Sequence, residues 1–179
     1  MSSPRTMASP DTCSVVACLT DPPGDLSRLP DAVDGIQVRA DLVGDLDPFV
    51  LKGSTSASLI YSLRSAAAGG RHAGGAADRH RRLLRAARRY DVVELEADTD
   101  LTAWLLDAIP PHRRHILWRG NAGLGVGARL HVVETADPLR MLRNLGRGDV
   151  TAYQTGPAGT WSRLLAPRLG ARVAFCRFG

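Results

Sequence analysis

Two arginines and two glutamates stand where short apolar runs give out into loops. Arg39 closes the run 35–39, Arg64 follows the run 59–63, and Glu94 and Glu96 lie at the end of the run 92–96. A guanidinium presents a planar fork of donors that fits a carboxylate through two parallel hydrogen bonds. Arginines gathered at strand ends therefore point to recognition of a small anion. Glu94 and Glu96 are two residues apart, so a strand puts both on one face. Facing inward, they are candidates for proton transfer, or for pairing with Arg39, Arg64 or Arg119 in the buried ion network that several enclosed arginines require. His131, within the run 130–133, is the histidine candidate for general-base chemistry, beside the plainer reading of a histidine satisfied in the core. Amine chemistry has a single candidate. Twenty-two of the 23 basic residues are arginine, and Lys52 is the lysine.

The elements that must position these residues alternate along the chain. Apolar, β-prone runs at 14–19, 35–39, 59–63, 92–96, 115–118, 130–133, 150–153 and 172–175 predict eight strands. Helices are expected at 25–33, 45–51, 76–89, 101–109, 138–145 and 160–167, with Pro48 tolerable only in a first turn. Residues 120–127 carry four glycines in eight positions. Each glycine costs about 1 kcal/mol inside a helix, so this stretch is a loop. Gly156-Pro157-Ala158-Gly159 has neither the G-x-G-x-x-G spacing nor a following lysine, and reads as a turn into a helix rather than a phosphate cradle. Strand, loop, helix, strand is the unit of a parallel sheet, whose ligand-facing residues lie at the C-terminal strand ends. The pattern predicts an α/β fold, a TIM-barrel-like (β/α)8 that is shortened and lacks the fifth and eighth helices. The glycine loop replaces the fifth, and the eighth would fall beyond Gly179. At 179 residues the chain is short against the roughly 250 typical of such barrels.

Composition narrows the class. Residues 1–11 are polar and Ser/Pro-rich and read as a disordered leader, with 12–179 as one barrel domain. No run approaches the roughly 18 apolar residues of a membrane span. Cys13, Cys18 and Cys176 are odd in number and have no C-x-x-C spacing, which favours a reducing cytoplasm over disulfides or a zinc site. No metal or cofactor is expected. The net charge of +5 is concentrated in Arg79, Arg81, Arg82, Arg85, Arg88 and Arg89. On a helix, Leu83, Leu84, Ala87 and Tyr90 form an apolar stripe, and the arginines are expected to cover the solvated remainder rather than bind nucleic acid.

Four segments, in order, carry a resemblance: DGIQVRAD at 34–41, LIYSLRSAAAGG at 59–70, DRHRRLLRAARRYDVVELEAD at 78–98 and GTWSRLLAPRLGARVAF at 159–175. Together they resemble the type I 3-dehydroquinate dehydratases, (β/α)8-barrel lyases of the shikimate (aromatic amino acid) pathway. The resemblance implies a Schiff-base lysine on the sixth strand, a general acid/base histidine at the end of the fifth, carboxylates orienting it, and arginines for the substrate carboxylate. Arg39, Arg64 and Arg163 match the arginine positions. Gln37 stands where the family carries glutamate, Ala68 where a glutamate precedes the paired glycines, and Glu94 and Glu96 where an acidic pair orients the histidine. The sixth strand holds no lysine, and Arg119 occupies the histidine's place. Arginine neither forms a Schiff base nor shuttles protons at neutral pH. His115 is expected to be solvated beside Arg113 and Arg114, and Lys52 to lie at the opposite rim.

The resemblance thus implies a cytoplasmic, catalytically degenerate homologue that binds a small carboxylate such as 3-dehydroquinate. It would act as a homo-oligomer or beside a shikimate-pathway partner chain, without membrane or nucleic acid. Two alternatives remain. One is a lysine-independent dehydratase using Glu94, Glu96 or His131 with arginines stabilising an enolate. The other is an anion or nucleic-acid binder built on the arginine-rich helix, whose affinity would fall steeply with salt.

Overall fold

Valine, isoleucine and leucine dominate the apolar runs, and each run becomes a strand of one parallel sheet. The computed structural model describes residues 13–24, 26–123, 125–145, 147 and 149–178; the expected leader lies outside them. The strands are β1 (Ser14–Leu19), β2 (Val33–Arg39), β3 (Ser58–Ser62), β4 (Val92–Glu96), β5 (Arg114–Arg119), β6 (Leu130–Thr135), β7 (Val150–Gln154) and β8 (Val173–Phe178). They are hydrogen-bonded in the order β7-β6-β5-β4-β3-β2-β1-β8, so the eight-stranded sheet curls into a nearly closed barrel. β7 and β8 are its two ends. There the Thr151 hydroxyl donates to the Val173 carbonyl at 2.9 Å, and Tyr153 meets Phe175 edge-on at 6.0 Å.

Alternation sorts the side chains. Val16, Ile60, Val92, Leu117, Leu130, Val132, Tyr153, Val173 and Phe175 form the inner core. Their neighbours in sequence, among them Leu19, Ile36, Val38, Leu59, Leu63, Val93 and Leu95, pack outward into the layer beneath the helices. Those helices are α1 (Ala40–Val43), α2 (Pro48–Ser54), α3 (Ala76–Ala87), α4 (Ala103–Ala108), α5 (Pro138–Asn144) and α6 (Ala158–Leu165). Between β5 and β6 the described residues form no helix, as the glycines dictate.

Three expectations need correction. The helix expected at 25–33 is a single 3-10 turn, Leu26–Arg28. Pro30 removes a helical donor, and Val33 is drawn into β2 by pairing with Val15. The helix expected at 45–51 starts instead at Pro48, where Asp47 accepts the Phe49 amide at 2.9 Å as N-cap. β6 runs two residues past Val133, which brings Glu134 into the ladder opposite Tyr153.

The paired glycines after β3 serve packing. Gly69 has φ +73°, and a Cβ on Gly70 would collide with the Arg64 carbonyl. Only glycine lets the chain turn back so closely on the strand end that carries Arg64. Gly159 is similar: its amide donates to the Gly156 carbonyl at 2.9 Å, and a Cβ there would meet the Gln154 carbonyl at 2.5 Å. The 156–159 stretch is a turn into α6, as expected.

Candidate anion site at the mouth of the barrel

Beyond the apolar inner core, the inward positions of the strands turn polar. Gln37 and Arg39 on β2, Ser62 on β3, Glu94 on β4 and Glu134 on β6 continue the same alternation toward the C-terminal ends. Arg64 follows directly after β3. These residues surround or underlie a cavity of about 480 Å³ whose wall includes Gln37, Arg39, Arg64, Glu134, Tyr153 and Arg163, with Arg177 at its edge. That volume suits a small ligand.

Most of the charge is neutralised within the protein. Arg64 donates from Nε to Glu94 at 3.0 Å and from Nη1 to Glu134 at 2.7 Å. Burial works against its charge, but the two carboxylates raise its pKa above the ordinary arginine value. Glu94, buried at the bottom of the site, also accepts from Ser62 Oγ at 2.7 Å and Gln37 Nε2 at 2.8 Å. Burial pushes its carboxyl up, yet the Arg64 charge and these hydrogen bonds hold it below its usual range. Gln37 is apt here because a glutamate would set a second anion against Glu94, whereas the amide donates. Its carbonyl accepts the Cys18 thiol at 3.1 Å, and burial pushes that thiol up to about 12, despite the nearby Arg64, so it is no nucleophile. Arg39 forks onto Asp41 at 2.9 and 2.8 Å. Arg177 meets Asp21 at 3.2 Å on the exposed rim.

Arg163 differs. Its guanidinium lies 5.0 Å from the centre of the Tyr153 ring, and no carboxylate among the described residues pairs with it. Projected from α6 over the cavity, it is the arginine left with donors for an anion.

The other sequence candidates lie elsewhere. Glu96 accepts from the Ser65 amide and hydroxyl, each at 2.7 Å, and from Arg79 at 3.3 Å, so it holds a loop. Arg119 reaches across the rim to Asp98 and to the Ala67 carbonyl. Of the three partners considered for the acidic pair, only Arg64 is used, and only by Glu94. His131 points away from the barrel interior and accepts the Trp118 indole N–H at 2.9 Å, the satisfied-core reading. His115 is neither solvated nor before the strand. It is 4% exposed within β5, and burial, opposed by Glu94 and reinforced by Arg129, lowers its pKa to about 4. Arg113 and Arg114, expected to keep it wet, instead donate to carbonyls of Tyr90, Asp91 and Leu106. Glu134 and Tyr153 were missed as site residues. The period of two carried beyond Val132 would have found Glu134, but no sequence signal marks the Tyr153 hydroxyl.

Among solved structures, a type I 3-dehydroquinate dehydratase from Clostridium difficile with covalently modified comenic acid superposes with a TM-score of 0.70 at 14% identity, covering 93% of this chain and 84% of that one. The 3-dehydroquinate dehydratase of Aquifex aeolicus VF5 gives 0.67 at 16% identity, over 91% and 89%. An S. pombe dehydroquinate dehydratase and shikimate dehydrogenase gives 0.66 at 16%, over 94% of this chain and 40% of that. The fold is that of the 3-dehydroquinate dehydratases. No family model and no curated protein matches the sequence.

Against that dehydratase fold, the lysine question has a geometric answer. The inward residues of β6 are Leu130, Val132 and Glu134, none of them lysine. Lys52 lies on α2, pairs with Asp91 at 2.7 Å and donates to the Ala57 carbonyl at 3.1 Å. Asp91 precedes β4 and Ala57 precedes β3, so the amine is at the rim opposite the cavity. No lysine or histidine lines the cavity. Among the described residues no group of three His, Cys, Asp or Glu is placed to hold a metal ion, and no helix is long and apolar enough to cross a membrane.

Proposed function

We propose that this chain is a 3-dehydroquinate dehydratase-like barrel that binds a small carboxylate and has given up Schiff-base dehydration. The observation that carries the reading is the state of Arg163. Arg39, Arg64 and Arg177 all have carboxylate partners, whereas Arg163 faces the cavity with none among the described residues. A ligand carboxylate supplies the missing partner. An imine needs a primary amine in reach of the ligand, and the one lysine is at the far rim. The resemblance makes 3-dehydroquinate the ligand to test, and it supports a role as a binding module beside shikimate-pathway chemistry.

Glu134 supports a second reading, a lysine-independent dehydratase. It borders the cavity, and Arg64 takes one of its oxygens, leaving the other to act as a base. Glu94 serves less well, with both oxygens committed to donors. The nucleic-acid reading loses support on α3. Arg79 is buried rather than solvated, and Arg81 and Arg82 pair with Asp78 and Asp45.

Incubation with 3-dehydroquinate, followed by enone absorbance, separates the first two readings. The proposal expects no turnover, with thermal stabilisation by the compound that Arg163→Ala removes. Turnover lost in Glu134→Gln would establish the second reading instead.

A further inference from the structure

The chain has three tyrosines, and all three are buried. Tyr61 donates its hydroxyl to Asp45 at 2.6 Å, and Tyr90 donates to the Leu46 carbonyl at 2.8 Å. Tyr153 is 2% exposed, and its hydroxyl has no hydrogen-bond partner among the described residues. A buried hydroxyl left unpaired costs about 1–3 kcal/mol. Folding gains nothing from that hydroxyl, since phenylalanine would fill the same space between Phe175 and Arg163. Its location explains the exception: alone of the three, Tyr153 borders the anion cavity.

We infer that the Tyr153 hydroxyl is the specificity-determining donor of this cavity, taking an oxygen substituent of a ligand whose carboxylate is held by Arg163. The inference rests on the anion-site reading above and specifies its ligand. Three side chains meet at the cavity wall: Arg163, Tyr153 with its enclosed, unpartnered hydroxyl, and Glu134, which keeps one oxygen free of Arg64 and is Tyr153's neighbour across the β6–β7 ladder. A donor beside a carboxylate is suited to a ring or chain bearing keto and hydroxyl groups. Glu134 repels a second carboxylate at that end. The fitting class is an oxygenated monocarboxylate, as opposed to a plain apolar acid or a dicarboxylate. The phenol stays protonated at working pH, because burial and the nearby Glu134 raise its pKa well above the usual value.

Calorimetric titration with two probes tests this: 3-dehydroquinate, and cyclohexanecarboxylate, which has the carboxylate and ring without the other oxygens. The wild-type chain is expected to prefer 3-dehydroquinate. Tyr153→Phe is expected to weaken it roughly tenfold, the worth of one hydrogen bond, to leave cyclohexanecarboxylate unchanged, and to leave the unliganded melting temperature equal or higher. Equal 3-dehydroquinate affinity in Tyr153→Phe, equal weakening of both probes, or a lowered unliganded melting temperature would each overturn the inference. Arg163→Ala weakening both probes while Tyr153→Phe weakens neither would leave the anion site standing and remove the tyrosine's role. Binding of neither probe by the wild type would overturn both.

Discussion

At the scale of single residues, buried charges near the barrel axis set how the protein meets acid. Glu94 and Asp41 have lowered carboxyl pKa values: burial opposes the shift, but Arg64 and Arg39 respectively outweigh it. Their contributions are present above the ordinary carboxylate range and are lost as pH falls through the lowered folded values. His115 acts earlier. Unfolded, it titrates near 6.5; folded, near 4, so the unfolded chain binds its proton first. Stability should therefore decline as pH drops from about 6.5, by a total of about 3 kcal/mol, and this contribution should level off near pH 4. Urea unfolding of wild type and His115→Leu across that window checks it. The variant should show a shallower slope than the wild type, the remainder coming from His72 and His131, whose pKa values burial also lowers, and parallel slopes would show that His115 is not the group.

At the scale of elements, α3 is tied to the sheet by one buried guanidinium. Arg79 forks onto Asp100 at 2.7 and 2.6 Å, reaches Glu96 at 3.3 Å and donates to the Leu63 carbonyl. Asp100 is fully enclosed and also accepts the Glu96 amide at 2.7 Å. Arg79→Met would strand Asp100 without a cation, at a cost of about 3–5 kcal/mol. The same change at exposed Arg81 should cost well under 1 kcal/mol. Chemical denaturation of the two variants gives the comparison, and equal small losses would refute the tie. Arg79 was expected with the other arginines on the solvated face, although its spacing carried the buried role. Arg79 lies four residues before Leu83, seven before Ala86 and eleven before Tyr90, on the buried stripe rather than the solvated face. Glu134 was legible in the same way, as the next inward position after Leu130 and Val132. The burial of His115 was not, because two flanking arginines read as solvent exposure while they in fact satisfy backbone carbonyls.

At the scale of the whole molecule, eight β-prone runs separated by helical or glycine-rich stretches marked a parallel sheet, and the family resemblance marked its closing into a barrel. Parallel strands in sequence order have few other ways to bury both faces. The strand-end rule also brought Arg39 and Arg64 to one mouth, and the family resemblance added Gln37. It could not tell which arginines would be neutralised, since that depends on side chains far apart in sequence, such as Arg64 with Glu94 and Glu134. The central claim is that the unspent charge of Arg163 holds a ligand carboxylate in a cavity without an amine. Titration calorimetry of 3-dehydroquinate against the wild type and Arg163→Ala is its most direct test. The account predicts saturable binding to the wild type that weakens roughly 10- to 100-fold in Arg163→Ala, as loss of a charge-assisted contact implies, with the compound recovered unchanged. Equal affinity in the two proteins, or recovery of the dehydrated product, would contradict it.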